Sequence, residues 1–350
     1  MIRRRASRSI QVGDVTVGGA AGIIVQSMTK TDTRDVRATI DQIEWLADCG
    51  CEVVRLAVPD IAAAEALAEI KRAAPIPLIA DIHFDHRLAI VSMGSGVDQV
   101  RFNPGNIRGQ ENVAAIVRIA KERSIPLRIG VNAGSLAHER GDVDLASRMS
   151  DAALAQIDLL ESMDFDLIEV SLKASDVLVT IEANKAIAEK MPYPLHIGVT
   201  EAGLPRVGSI RSAVGLGTLL YLGIGESLRV SLTTADPCEE ILAGYEILKS
   251  LELRERGPKL ISCPTCGRCE AEGFYELAGA VEERLANIER AITVAVMGCV
   301  VNGPGEARDA DVGLACGKGR GVIFKKGEKI RTVEESDFLA SLMAEVEALL

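Results

Sequence analysis

Cys263-Pro264-Thr265-Cys266-Gly267, followed after one intervening segment by Gly298-Cys299-Val300-Val301-Asn302-Gly303-Pro304-Gly305-Glu306, has the residue types and spacing of a metal centre. Two cysteines three positions apart turn both sulfurs toward one ion or cluster when a tight turn bounded by Pro and Gly takes the intervening backbone out of the way. Cys299 supplies a third thiolate between the apolar run 292–297 and a Gly-, Asn- and Pro-rich stretch that cannot continue as regular structure, and that stretch ends on the carboxylate of Glu306. Spacing alone leaves the ion undecided. Cys-Pro-x-Cys-Gly is also a zinc-knuckle sequence, although zinc ribbons usually present a second pair of cysteines where this chain has one. Cys269 extends the pair to C-x2-C-x2-C, the run of bacterial ferredoxins, so Cys263, Cys266, Cys269 and Cys299 could equally close a saturated cluster. Eight cysteines in 350 residues are too sparse for a disulfide scaffold, which favours a reducing compartment and leaves Cys49, Cys51, Cys238 and Cys316 as packing residues or bystanders.

A second constellation is spread along the chain. Up to about residue 250, short β-rich apolar runs alternate with helix-length segments eight times, with strand candidates at 23–29, 53–58, 78–83, 99–103, 127–132, 167–173, 195–200 and 228–232. Between them, segments such as 60–73, 114–123, 152–163, 176–191 and 237–251 carry apolar residues three and four apart, the mark of helices packed on one side. Eight such units predict a closed parallel (β/α)8 barrel of the TIM type. A doubly wound open sheet is the alternative, but no Gly-rich dinucleotide fingerprint follows the first strand. The segment 251–258 reads as a linker between a barrel domain over 1–250 and a smaller C-terminal α/β domain over 259–350 that carries the cysteine motifs.

Barrels of this kind do their chemistry at the C-terminal ends of the strands. There the chain places Arg55, Arg101, Arg128, Lys173 and Arg229, together with His83, His196, Asn103, Asn132, Thr200, Glu201 and Ser231. One arginine at a strand end more often pairs with a neighbouring carboxylate than with a ligand. Five cations at one mouth repel one another unless a polyanion offsets them, so the expected ligand is a diphosphate or something equally charged, which guanidinium forks bind two oxygens at a time. The simpler readings are a surface residue for His86, a buried structural histidine for His196, a turn for Asn103-Pro104-Gly105-Asn106, and a charge-balancing role for Glu201.

Composition narrows the class. A 48% hydrophobic content supports a large core, and a formal net charge of −11 argues against nucleic acid as partner. No apolar run is long enough to cross a bilayer, and the basic start Met1-Ile2-Arg3-Arg4-Arg5 lacks a signal-peptide core, so a cytoplasmic enzyme is expected.

Taken with Ala80-Asp81-Ile82-His83-Phe84, Arg101-Phe102-Asn103-Pro104-Gly105-Asn106, Arg128-Ile129-Gly130-Val131-Asn132-Ala133-Gly134-Ser135, Lys173-Ala174-Ser175-Asp176 and Val199-Thr200-Glu201-Ala202-Gly203, the two cysteine segments resemble the IspG (GcpE) family over nearly the whole chain. That family is the 4-hydroxy-3-methylbut-2-enyl diphosphate synthases of the methylerythritol phosphate route to isoprenoids, and the resemblance is to its shorter, two-domain bacterial form. The segment 136–148 is short beside the charged insertion of many bacterial relatives. The resemblance implies a [4Fe–4S] cluster on Cys263, Cys266 and Cys299 with Glu306 as fourth ligand, and excludes Cys269 from the set. A carboxylate oxygen is the more readily displaced iron ligand, which lets one iron open to substrate. The implied substrate is 2-C-methyl-D-erythritol 2,4-cyclodiphosphate, opened and dehydroxylated by two electrons delivered one at a time.

By the same resemblance, Arg55, Arg101, Arg128, Lys173 and Arg229 clamp the cyclodiphosphate, while His83, Asn103, Asn132, Thr200 and Ser231 add hydrogen bonds and Glu201 handles a proton. A flavodoxin or ferredoxin supplies electrons, and a homodimer brings one subunit's cluster domain over the other's barrel. Two other classes compete: a non-redox barrel enzyme such as an aldolase, with Lys173 as Schiff-base amine and zinc in the small domain, and an iron–sulfur electron carrier that binds no diphosphate.

Overall fold

A computed structural model describes residues 2–136, 144–269, 271–286, 288–299, 305 and 307–350, divided into two compact units, Met1–Arg254 and Glu255–Leu350. The first unit starts with a feature the strand pattern did not separate out, an antiparallel hairpin of β1 (Ser9–Val12) and β2 (Val15–Gly18). Its Ile10, Val12 and Val17 form one apolar cluster with Ile24, Val53 and Ile79, which lie at or next to the N-terminal ends of three later strands. The hairpin therefore stoppers the N-terminal end of the barrel, and chemistry is left to the opposite end.

Eight parallel strands follow: β3 (Ile24–Met28), β4 (Val53–Val58), β5 (Leu78–Ile82), β6 (Gln99–Phe102), β7 (Leu127–Asn132), β8 (Ile168–Lys173), β9 (His196–Ile197) and β10 (Ser227–Leu228). They pair in the order β8-β7-β6-β5-β4-β3-β10-β9, and a parallel bridge between Val170 and Leu195 joins the two edges, so the sheet closes on itself. The last two strands are shorter than their apolar runs, 195–200 and 228–232, led one to expect. Beyond their ends the backbone still bonds its neighbours, Thr200 N–H to the Ala174 carbonyl and Arg229 N–H to that of Ile197, without keeping a regular ladder.

Helices α1 (Val36–Asp48), α2 (Ile61–Ala73), α3 (His86–Gly94), α4 (Gln110–Arg123), α5 (Leu145–Glu161), α6 (Val177–Ala188), α7 (Pro205–Tyr221) and α8 (Cys238–Ser250) alternate with the strands and pack on their outward residues in one continuous core. Five of them start on an aspartate, Asp35, Asp60, Asp85, Asp144 or Asp176, whose side chain accepts a bond from a backbone N–H of the first turn. Each such cap is worth about 1 kcal/mol. All eight helices leave a strand's C-terminal end, so their positive dipole ends add to the cationic character of that end of the barrel.

Barrel closure also overturns one sequence reading. Cys49, at the end of α1, and Cys238, at the start of α8, are joined in a disulfide 189 residues apart in sequence rather than standing as separate packing residues. Only the closed ring makes α8 a neighbour of the strand next to α1, and spacing carries no trace of that.

The second unit is a mixed sheet in the order β11-β12-β13-β14-β15, made of β11 (Lys259–Ser262), β12 (Thr293–Met297), β13 (Val312–Cys316), β14 (Arg320–Lys325) and β15 (Glu328–Glu334). The first three strands run parallel and the last two antiparallel. Helices α9 (Phe274–Leu285) and α10 (Phe338–Glu347) cover one face through Phe274, Val281, Phe338 and Leu342, while Ala295, Met297, Ala315 and Phe324 pack on the other. No helix among the described residues is long and apolar enough to cross a membrane.

Alkylation of the denatured chain followed by mass measurement is expected to label six cysteines before reduction and all eight after it. Reduction of the native protein should cost about 2–4 kcal/mol of stability, because the bond closes a long loop. Eight labelled cysteines without reduction would show the pair to be a dithiol.

Candidate active site

Strand side chains alternate between two sides. Val25, Val54, Leu56, Val58, Ala80, Ile82, Val100, Leu127, Ile129, Ile168, Val170 and Leu172 pack toward the helices, which turns the intervening residues inward. Above the apolar layer formed with the hairpin, the inward series reads Gln26 and Met28, Arg55, Asp81 and His83, Gln99 and Arg101, Arg128, Gly130 and Asn132, Glu169, Ser171 and Lys173, His196, then Ser227 and Arg229. A barrel of this class normally fills its interior with branched aliphatic residues; this one fills it with hydrogen-bonding groups, and buried charge is tolerated only where it is paired.

The pairing is partial. Asp81 Oδ1 takes Arg101 Nη1 at 3.1 Å and Asp81 Oδ2 lies 3.6 Å from Arg55 Nε. Glu169 Oε2 takes Arg128 Nε at 2.7 Å, and Glu240 Oε2 lies 3.6 Å from Arg229 Nη2. Three buried carboxylates thus face five cations. The sequence reading passed over all three, although Glu169, Ser171 and Lys173 are polar at every second residue of one strand, which is the signal that could have found the first of them.

Several donors have no good acceptor. Arg229 Nε is buried without a hydrogen-bond partner, and Arg55 Nε and Nη2 donate to the Met28 thioether, at 3.4 and 3.2 Å, with the Asp81 carboxylate farther off at 3.6 Å from Nε. Burial, together with Arg229, Arg101 and Arg128, pushes Arg55 down to about 9 against the pull of Asp81. A guanidinium stays charged at neutral pH even so, and the field is one an anion would relieve. Asp81 shows the same field from the other side: burial opposes its ionisation, but Arg55, the His83 hydrogen bond and Arg101 hold it below the usual carboxylate range.

At the C-terminal end of the strands a cleft of about 520 Å³ is lined by His83, Phe84, Arg101, Asn103, Asn106, Asn132, Thr200 and Glu201, with Gly130, Ala133, Gly134, Ser135, Ala174 and Ser175. The cleft therefore gathers His83, Arg101, Asn103, Asn132, Thr200 and Glu201 from four strand ends, those of β5, β6, β7 and β9. Arg55, Arg128, Lys173, Arg229 and Ser231 are not part of its lining; Arg128, 1% exposed, also donates through Nη2 to Gln26 and Gln99. Asn103 Oδ1 accepts from Gly105 N–H at 2.9 Å, so this asparagine shapes the turn and lines the cleft at once. Phe84, which the sequence reading did not single out, is 71% exposed in the cleft wall, and both Phe84 and Glu201 hold a left-handed backbone, at φ 65° and 54°. Two glycines make room for the cations: a Cβ on Gly130 would lie 2.3 Å from Arg101 Nε, and one on Gly198 would lie 2.9 Å from Lys173 Nζ.

In the second unit the cysteines gather at the C-terminal ends of the parallel strands. Cys263 directly follows β11 and donates its N–H to Val296, Cys299 lies two residues past β12, and Cys316 ends β13. The Cys263–Cys269 turn is closed by a Cys269 N–H bond to the Cys266 carbonyl, and Thr265, at φ 58°, points its N–H at Cys263 Sγ from 3.4 Å, a contact that suits a thiolate. Cys269 Sγ presses on Gly298, where a Cβ would lie 2.9 Å from it. Burial, then Cys269, Glu335 and Cys263, push the Cys316 thiol up to about 12, as befits a packing residue. Cys263, Cys266 and Cys299 are outside any disulfide, are soft donors on adjacent strand ends, and include one exposed sulfur, so the residue set fits a cluster bound by thiolates. No three His, Cys, Asp or Glu side chains among the described residues are drawn up around one point, and Glu306 lies outside the described residues.

Lys173 provides a test. Burial, then Arg55, Arg229, Arg128 and Arg101, hold it well below its ordinary 10.5, and His196 is its near neighbour. An anion at the mouth favours the ammonium form, so inorganic diphosphate should bind with proton uptake and more weakly as pH rises. Without ligand the sign is that of a depressed base: the unfolded chain binds more protons between the two pKa values, and stability rises with pH up to about 10.5. Calorimetry in buffers of different ionisation enthalpy measures the uptake, and binding with none would mean that Lys173 is already charged.

Known proteins match this architecture and these motifs. The family description "GcpE TIM-barrel domain" matches residues 7–245 and "GcpE protein C-terminal domain" matches residues 259–348. A 4-hydroxy-3-methylbut-2-en-1-yl diphosphate synthase (flavodoxin) of Dehalococcoides mccartyi is 57% identical over 350 residues, covering 100% of both chains. The enzyme of that name from Geobacter sulfurreducens is 55% identical over 347 residues, covering 98% of each. Among solved structures, dihydropteroate synthases from Stenotrophomonas maltophilia (TM-score 0.54, 12% identity) and Yersinia pestis (TM-score 0.51, 9% identity) each match over 70% of this chain and 98% of their own, a likeness of barrel fold alone. Matched by both descriptions and by full-length relatives identical at more than half of their positions, the chain belongs to the GcpE family.

Proposed function

We propose that this chain reduces 2-C-methyl-D-erythritol 2,4-cyclodiphosphate to 4-hydroxy-3-methylbut-2-enyl diphosphate, with a [4Fe–4S] cluster on Cys263, Cys266, Cys299 and Glu306 and a flavodoxin as donor. The observation that carries the reading is the barrel interior, where five cations outnumber three carboxylates and Arg229 Nε has no partner. Two electrons and one proton enter, a ring C–O bond to phosphate breaks, and a hydroxyl leaves as water. Arg55, Arg101, Lys173 and Arg229 hold the diphosphate, Arg128 supports them from below, and His83, Asn103, Asn132, Thr200 and Ser231 orient the sugar-derived carbons. Glu201, at the cleft wall, handles the proton. The cluster, when bound, supplies the electrons singly. Family membership leaves the aldolase and the electron carrier without support of their own.

The chain also works as a homodimer in this reading, one subunit's cluster unit serving the other's barrel. Its support is an apolar face on the barrel exterior: Val207, Ile210, Val214 and Tyr221 of α7, with Leu204 just before it, are 49–68% exposed at helical spacing. Sedimentation should give a dimer that Ile210→Glu with Val214→Glu converts to monomer; an unchanged dimer would place the contact elsewhere.

Anaerobic purification should yield about four irons and four sulfides per chain. Glu306→Ala should alter the electron paramagnetic resonance spectrum of the reduced cluster, and Cys269→Ala should leave it intact. Reduced flavodoxin with the cyclodiphosphate should give the linear allylic diphosphate. A colourless protein with one zinc and no iron would overturn the proposal.

A further inference from the structure

His196 was readable from sequence only as a buried histidine, yet it stands in a chain of hydrogen bonds that has one direction. Glu169, paired with Arg128, accepts only; its Oε2 also takes Gln99 Nε2 at 2.9 Å, and its Oε1 takes Ser227 Oγ at 2.7 Å. Ser227 thereby spends its single hydrogen on Glu169, so at the 2.8 Å contact with His196 Nδ1 the serine oxygen must accept. Nδ1 therefore carries the hydrogen. Nε2, 2.9 Å from Lys173 Nζ, is left as a bare lone pair that accepts from the lysine. Burial, then Lys173, Arg128, Arg55 and Arg229, hold the imidazole well below its ordinary 6.5, in keeping with the neutral ring this direction demands.

We propose that Glu169, Ser227 and His196 act as a positioning relay for Lys173: they fix His196 as the Nδ1–H tautomer, so that Nε2 holds Lys173 Nζ by one hydrogen and turns its others toward the anion at the barrel mouth. The proposal rests on the diphosphate reading of that mouth. Space is arranged for it, since Gly198 on the adjoining segment leaves the lysine terminus its place. In the other tautomer two hydrogens would meet at Lys173 and two lone pairs at Ser227, the ring would turn away, and the ammonium would lose its seat. His196, Ser227 and Glu169 touch no substrate in this scheme; they act through Lys173.

The test is long-range 1H–15N NMR on the full-length, cluster-loaded protein labelled at histidine, joined to calorimetric titration with inorganic diphosphate. The wild type should show His196, assigned by loss of its signals in His196→Gln, with Nδ1 protonated and Nε2 unprotonated at neutral pH. Ser227→Ala should lose that tautomer and bind diphosphate roughly tenfold or more weakly, the cost of one hydrogen bond to a charged group, and Ser227→Thr should restore both. An Nε2–H or doubly protonated His196 in the wild type overturns the relay whether or not any variant folds. Diphosphate binding unchanged in Ser227→Ala also overturns it, whereas a wild type that binds no diphosphate overturns the reading of the site itself.

Discussion

Positive charge held inside a closed barrel is the constraint on which the rest of the structure depends. Arg101, Arg128 and Lys173 are each less than a tenth exposed, and Arg55 and Arg229 are only slightly more open. Moving such groups out of water is costly unless each finds an opposite charge or a full set of hydrogen bonds. Asp81, Glu169 and Glu240 supply part of that, and Gln26, Gln99, Ser227 and His196 supply more. What they leave over includes an unpartnered Arg229 Nε and an Arg55 fork resting on a thioether, a deficit toward the open end of the barrel. Such a deficit gives an anion a larger energetic role than a neutral ligand could have, because the anion relieves repulsion already present in the empty protein.

The closed end makes this arrangement stable. The hairpin and the first inward layer are apolar, so one end of the barrel has the water-excluding core that every domain needs, and the outward faces of the strands are sealed by the helices. The polar interior is bounded on all sides but one. Glycine then sets how close the charges come to the strands: at Gly130 and Gly198 any side chain would occupy the space of Arg101 and Lys173. These glycines are needed for close approach of another side chain, and neither has the positive φ that glycine would be required for in a turn.

Much of this was legible in the chain. Eight alternations of strand and helix patterns reach the closed barrel, and the cations at the strand ends stand where period-two alternation places them. The partners of those cations were not legible, because pairing such as Arg128 with Glu169 or Arg229 with Glu240 depends on which strand or helix becomes whose neighbour after closure. The Cys49–Cys238 bond was hidden for the same reason. The hairpin was hidden by its brevity, four residues to a strand, and Glu169 by sitting two repeats of the pleat below the lysine that ends its strand. At the cysteine edge, spacing identified the donors but could not choose between Cys269 and Glu306. Cys269 lies against Gly298 beside the other thiols, so proximity alone does not dismiss it; the distinction lies in ligand chemistry, since only an oxygen ligand leaves an iron readily opened.

Two of the left-handed non-glycine residues of the barrel unit lie on the rim of the cleft. Phe84 and Glu201 both adopt the left-handed region without being glycine, at a cost of order 1–2 kcal/mol each. Both lie in turns that leave strand ends, and both line the cleft. At Phe84 the sharp turn has a local return, since the next residue, Asp85, caps α3. Glu201 has no such cap within reach: it precedes α7, whose own N-cap, Leu204, offers no side-chain bond. Glycine at either position would relieve the strain, but it would remove an exposed aromatic face from one wall and a carboxylate from the other. A barrel that tolerates strain at these two positions while capping five of its helices with aspartate is one in which the side chains at the mouth, rather than the turns that carry them, determine the residue.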